Sequence, residues 1–82
     1  MANDNYNTYD LGVAAALSVL GFELLEMERS NPRKVQFVFK PDGRKGGIEK
    51  IADSYFKDTL SLPPQRFFNA LKMLKNRIYS NN

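Results

Sequence analysis

The chain contains no cysteine, no histidine and no tryptophan. Without cysteine there is no disulfide staple and no thiolate nucleophile. Losing histidine as well removes most metal-binding donor sets and most nucleophile–base pairs. What remains for chemistry is Asp, Glu, Lys, Tyr and Ser. No two carboxylates stand at a spacing that predicts an acid–base pair. Glu23, Glu26 and Glu28 share one short stretch, but such runs usually face water. The residue types therefore point to a non-enzymatic protein with no cofactor and no metal site. No apolar run approaches the roughly 20 residues that cross a bilayer. The opening stretch MANDNYNTYD is polar and acidic, unlike a signal peptide. These absences read together as a cytoplasmic protein without a membrane partner.

With 82 residues, one domain is expected, with a modest core that buries about 60–65% of the unfolded surface. The net charge of +3 hides an asymmetry. Residues 1–29 carry five acids against Arg29, a net of −4, whereas residues 30–82 carry eleven Lys or Arg against four acids, a net of +7. An imbalance of this kind produces a basic face if the fold keeps the halves apart, and a merely solvated surface if it mixes them.

Along the chain, residues 1–8 read as a flexible N-terminus or, at Tyr6 to Thr8, a short edge strand, and residues 9–80 as a single α+β domain. Asp10 is a good N-cap for a helix over Leu11 to Leu20, and Gly21 a good residue just past its end. That helix, LGVAAALSVL, is apolar almost all round, which predicts a central, buried position. Phe22 to Arg29 reads as a strand whose alternation slips at Leu24–Leu25, the mark of a bulge or of two partly covered faces. Ser30-Asn31-Pro32-Arg33 suits a type I turn, and Lys34 to Lys40 forms the returning antiparallel strand. A helix follows from Ile48 to about Leu60, with Ile48, Ile51, Ala52, Tyr55 and Phe56 on one face and Lys50, Asp53 and Lys57 on the other. Asp53 and Lys57, one turn apart, read as a surface ion pair. Ser61 is the expected cap of the last helix, with Pro63 and Pro64 in its first turn. That helix runs to about Tyr79 on an apolar stripe of Phe67, Leu71, Leu74 and Ile78. The expected architecture is an antiparallel hairpin, with a third strand if the N-terminus joins it, packed against three helices in the order (β)αββαα.

The stretch KVQFVFKPDGRKGG poses the functional question. Alternation places Val35, Phe37 and Phe39 on one strand face. They would either stack on bases, as aromatics do on an RNA-recognition sheet, or fill the core. The glycine and spacer of that RNA-binding signature are missing here, so the core is the better reading. The following loop puts Arg44 and Lys45 among glycines just before a helix, a setting in which a phosphate can meet free N–H groups. The hairpin tip adds Arg29, Arg33 and Lys34. The last helix adds Lys72 and Lys75 on one flank of its apolar stripe, beside Phe68 and Tyr79, and Arg66 and Arg77 on the other. Val38, with Leu25 or Met27, is expected on a second, partly exposed sheet face that a homodimer could bury.

Several stretches together carry a resemblance. These are Tyr9-Asp10-Leu11 opening an Ala-rich helix, LGFELL from Leu20, RSNPRKVQFVF from Arg29, and PQRFFNALKMLKNRIY from Pro64. Over about Tyr9 to Ser80 the chain resembles a small uncharacterised bacterial and phage family, one of the domains of unknown function. The resemblance implies a free-standing small domain, from a phage or mobile element, and brings no catalytic residues with it. Two functions stay open at this point. One is a module that contacts DNA or RNA phosphates through Arg29, Arg33, Lys34, Arg44, Lys45, Lys72 and Lys75. The other is a protein-interaction or regulatory module that docks through Val38, Phe68 and Tyr79.

Overall fold

The computed structural model describes residues 5–30, 33–41 and 47–80. The elements run β1 (Tyr6–Thr8), α1 (Leu11–Val19), β2 (Leu24–Glu28), β3 (Gln36–Phe39), α2 (Gly47–Phe56) and α3 (Pro64–Ser80). The protein is therefore α+β, with three helices and a three-stranded antiparallel sheet. The sheet order is β1-β3-β2, which puts β3 in the centre. The N-terminal strand does join the sheet, pairing Tyr6 with Phe39 and Thr8 with Phe37.

Helix α1 sits at the heart of the molecule, against α3, α2 and β1. Val13 to Leu17 are all fully buried, as an all-apolar helix demands. Both its ends are secured by local chemistry. At the N-terminus the Asp10 carboxylate accepts from the Val13 amide at 2.9 Å. At the C-terminus Gly21 adopts φ 95°. There the Phe22 amide donates to the Leu17 carbonyl at 3.0 Å and the Gly21 amide to Ser18 at 3.1 Å. This is the Schellman arrangement, with the buried pair Phe22 and Leu17 as its hydrophobic contact.

The strand β2 is shorter than the sequence pattern predicts, and the slip at Leu24–Leu25 is a bulge. Leu24 pairs with Phe39 and Glu26 with Val38, leaving Leu25 as the extra residue. Phe37 and Phe39 are buried in the core with α1, Leu74 and Ala70, so they are not a stacking platform. Val38 lies on the opposite face, yet it is only 6% exposed. It is flanked on both sides by its cross-strand partners Asn7 and Glu26. The expectation of an exposed Val38 is thus corrected: a third strand makes β3 central, and Leu25 is the exposed apolar residue of β2.

Helix α2 stops at Phe56, four residues before the expected Leu60. Asp58 takes φ 61°, and the amides of Asp58 and Thr59 turn back to the carbonyls of Tyr55 and Ser54. This is a second Schellman ending, made without glycine. Phe56 leaves the predicted buried face and is 63% exposed. Asp53 and Lys57 do form the surface pair, at 3.1 Å. Helix α3 begins at Pro64, and its first intrahelical bond runs from the Phe67 amide to the Pro63 carbonyl. Ser61 is therefore not its cap. Pro64 takes the first helical position, where a missing N–H costs nothing. Among the described residues no helix is long and apolar enough to cross a membrane.

Candidate nucleic-acid interface

The sheet register collects the chain at one end. Thr8, Gln36 and Glu28 lie at the same edge of the three strands. The segments leaving them, at Tyr9, Lys34 and Arg29, meet there. Lys34 extends its ammonium over the Tyr9 ring, 5.3 Å from the centroid, a cation–π contact on an exposed surface. Arg33 precedes it and is exposed.

Arg29 brings the end of α3 to the same place. Its Nη1 donates to the Ile78 carbonyl at 3.2 Å and its Nη2 to the Arg77 carbonyl at 3.1 Å. The guanidinium thus caps the last turn of α3 and neutralises the partial negative charge there. By its place at the hairpin tip, Arg29 reads from the sequence as a phosphate contact. In the fold each of its two terminal nitrogens donates to a backbone carbonyl of the last turn of α3, which ties the side chain to that helix. No local signal betrays this contact, because its partners lie 48 and 49 residues away.

From this corner an exposed stripe runs back along α3 through Tyr79, Lys75, Lys72 and Phe68, at helical spacings of four, three and four. Tyr79 is 79% and Phe68 58% exposed. The Lys72 ammonium lies 5.4 Å from the Phe68 ring centroid. The other face of α3 does the packing, with Phe67, Ala70, Leu71, Leu74 and Ile78 on the core. From Pro64 to Ser80 the helix carries Arg66, Lys72, Lys75 and Arg77 and no acid at all. Among the described residues none of these four makes an ion pair; the pair seen is Lys57–Asp53. That one-signed composition is readable from sequence once the helix bounds are known.

The structure therefore brings Arg33, Lys34, Lys72, Lys75, Phe68 and Tyr79 onto the tip and outer stripe. Arg44 and Lys45 lie outside the described residues. Val38 belongs to another face and is buried. Among the described residues no cluster of acids could hold a metal ion. Glu28 instead accepts the Ser30 amide at 2.6 Å. That backbone bond, with the Ser30 hydroxyl, holds its carboxyl below the ordinary value.

A family model described as a domain of unknown function, DUF5659, matches residues 3–80. No curated protein and no solved structure matches the chain.

Proposed function

The chain belongs to the DUF5659 family, and we propose that it is a small non-enzymatic module that binds single-stranded nucleic acid along the outer stripe of α3. The observation that carries this reading is the interleaving of two exposed aromatic rings with two unpaired lysines on one line of a helix without acids. Lysines neutralise phosphates and rings offer π-faces to unstacked bases, a combination that reads backbone rather than sequence. From Phe68 to Tyr79 the stripe covers about 16 Å, enough for a few nucleotides. Lys34, at the sheet end that Arg29 ties to α3, adds a further positive charge over Tyr9. Arg29 supports it indirectly, by removing the negative end of the α3 dipole from the path of a phosphate.

The test is fluorescence anisotropy of labelled single-stranded and duplex DNA and RNA at low and moderate salt. Single strands are expected to bind more tightly than duplexes, with affinity falling steeply with salt and lost in Lys72→Ala with Lys75→Ala. Absence of binding at low salt overturns the reading and leaves the stripe as a protein-docking surface.

A further inference from the structure

We propose that the cleft where α2 gives way to α3 is a binding site for a methylated ammonium group. It stands apart from the α3 stripe and does not depend on the nucleic-acid reading. Its volume is about 530 Å³, within the range of about 300–1,000 Å³ typical of small-molecule sites.

Three aromatic rings and one carboxylate line it: Tyr55, Phe56, Phe67 and Asp58, with Leu60, Leu62 and Pro64 completing the wall. The Tyr55 and Phe56 rings meet edge to face, 5.3 Å between centroids at 78°. Tyr55 and Phe67 are tilted by 43° at 6.5 Å. The edge-to-face contact sets the edge of one ring against the face of the other, and each ring face left open to the cleft is a patch of negative potential. Tyr55 is held from behind: its phenol end occupies the room that the missing side chain of Gly12 leaves on α1. Phe67 is anchored on the core. Phe56, by contrast, is a large ring that the core does not absorb, standing at the rim.

Asp58 is the one charged residue in the lining. It occupies a left-handed turn position, φ 61°, which glycine fills with less strain. Hydrogen bonds on either side hold that backbone in place, from the Asp58 amide to Tyr55 at 3.1 Å and from the Thr59 amide to Ser54 at 3.0 Å. The carboxylate therefore stands on a rigid corner beside the rings. Aromatic rings and one anion in the same lining favour a cation. An unmethylated ammonium brings three N–H donors; the Asp58 carboxylate can accept from it, but the rest of the lining side chains are rings, leucines and a proline. The neighbouring carbonyls of Ser54 and Tyr55 already accept from Thr59 and Asp58, and the Tyr55 hydroxyl is turned towards Gly12. A nitrogen clad in methyl groups asks for no such acceptors and presents apolar surface to rings and leucines, which is the chemistry of aromatic cages.

The test is NMR titration of the full chain with choline and with its neutral isostere, in which carbon replaces the charged nitrogen, at matched ionic strength. Choline is expected to shift the amides of Asp58, Leu60 and Phe67 saturably, with the isostere binding at least about tenfold more weakly. Asp58→Asn, which tolerates the same backbone angle, is expected to weaken choline about tenfold. Asp58→Gly, which relieves the turn while deleting the carboxylate, does the same. Equal affinity for the isostere, unchanged choline affinity in both variants, or no shift at those amides overturns the proposal. A trimethyllysine peptide compared with its unmodified twin then assigns the source. If it outbinds choline, the cation is a protein side chain; if choline outbinds it, the cation is a free small molecule.

Discussion

Arg29 donates from Nη1 to the carbonyl of Ile78 at 3.2 Å, tying the end of the β2 strand to the last turn of α3. With the companion bond to Arg77, one side chain closes the link between the sheet and the C-terminal helix. Its Nε is buried and has no partner among the described residues, which offsets part of the gain. Arg29→Ala should lower stability by about 1–2 kcal/mol, measured by urea denaturation. Arg29→Lys should recover little, since a single ammonium cannot span two carbonyls as the planar fork does. Amide exchange should quicken in the last turn of α3 before the rest of the fold.

Gly12 and Tyr55 are the second coupled pair. A Cβ at Gly12 would overlap the Tyr55 hydroxyl and lie 2.6 Å from Cζ. The Gly12→Ala substitution usually favours a helix, but here it should destabilise by about 1–3 kcal/mol, because a packed ring must move. In a double-mutant cycle with Tyr55→Leu the loss should shrink, giving a non-zero coupling energy. Strict additivity would show that the ring is not what Gly12 accommodates.

Asp58 fixes where α2 ends. At φ 61° a β-branched residue is strongly disfavoured, so Asp58→Val should cost about 1–2 kcal/mol. Asp58→Gly should be neutral or stabilising by up to about 1 kcal/mol, its relief of strain set against the entropy of the unfolded chain. Thermal unfolding of the two variants side by side gives the sign.

These positions mark the limit of what the sequence discloses. Asp10, Gly21, the slip at Leu24–Leu25, the Asp53–Lys57 spacing and the apolar stripe of α3 are local signals, and each is read within a turn or a strand. The end of α2 was hidden because its left-handed residue is Asp rather than Gly. Val38 reads as a surface residue until the pairing of β1 with β3, some thirty positions apart, makes its strand central. Arg29 looks like any hairpin cation until α3 arrives beside it. The outer stripe of Phe68, Lys72, Lys75 and Tyr79 was legible from the helical wheel, but how far its rings stand exposed is a property of the folded surface. The three-ring cleft was not legible, since Phe56 counts as a core residue on the wheel.

Tyr6 supplies a pH signature. Burial against the core, then the negative charges of Glu49 and Asp10, raise its pKa above the ordinary 10.0, while a hydrogen bond with Thr8 acts in the opposite direction. A group with a raised folded-state value contributes stability that is fully present below its unfolded value and is lost as pH rises through the folded one. Melting temperatures should therefore fall above pH 10, the ordinary tyrosine value. The fall should be shallower in Tyr6→Phe, which has no proton to lose. Identical slopes for the two proteins would remove Tyr6 from the account.

The α3 stripe separates charge from stacking in a single experiment. Each phosphate neutralised on a single strand contributes about −0.7 to the slope of log affinity against log salt. Lys72→Ala and Lys75→Ala should therefore each flatten that slope by about this amount. Phe68→Ala and Tyr79→Ala should weaken binding by about 1–3 kcal/mol for each base unstacked from a ring, while leaving the slope as it was. Arg66→Ala, on the opposite flank of the helix, should alter neither quantity much. If all five variants changed the slope equally, the helix would act as a diffuse positive rod. If only the aromatic changes mattered, the lysines would serve solubility, and the stripe would be better matched to an apolar protein partner.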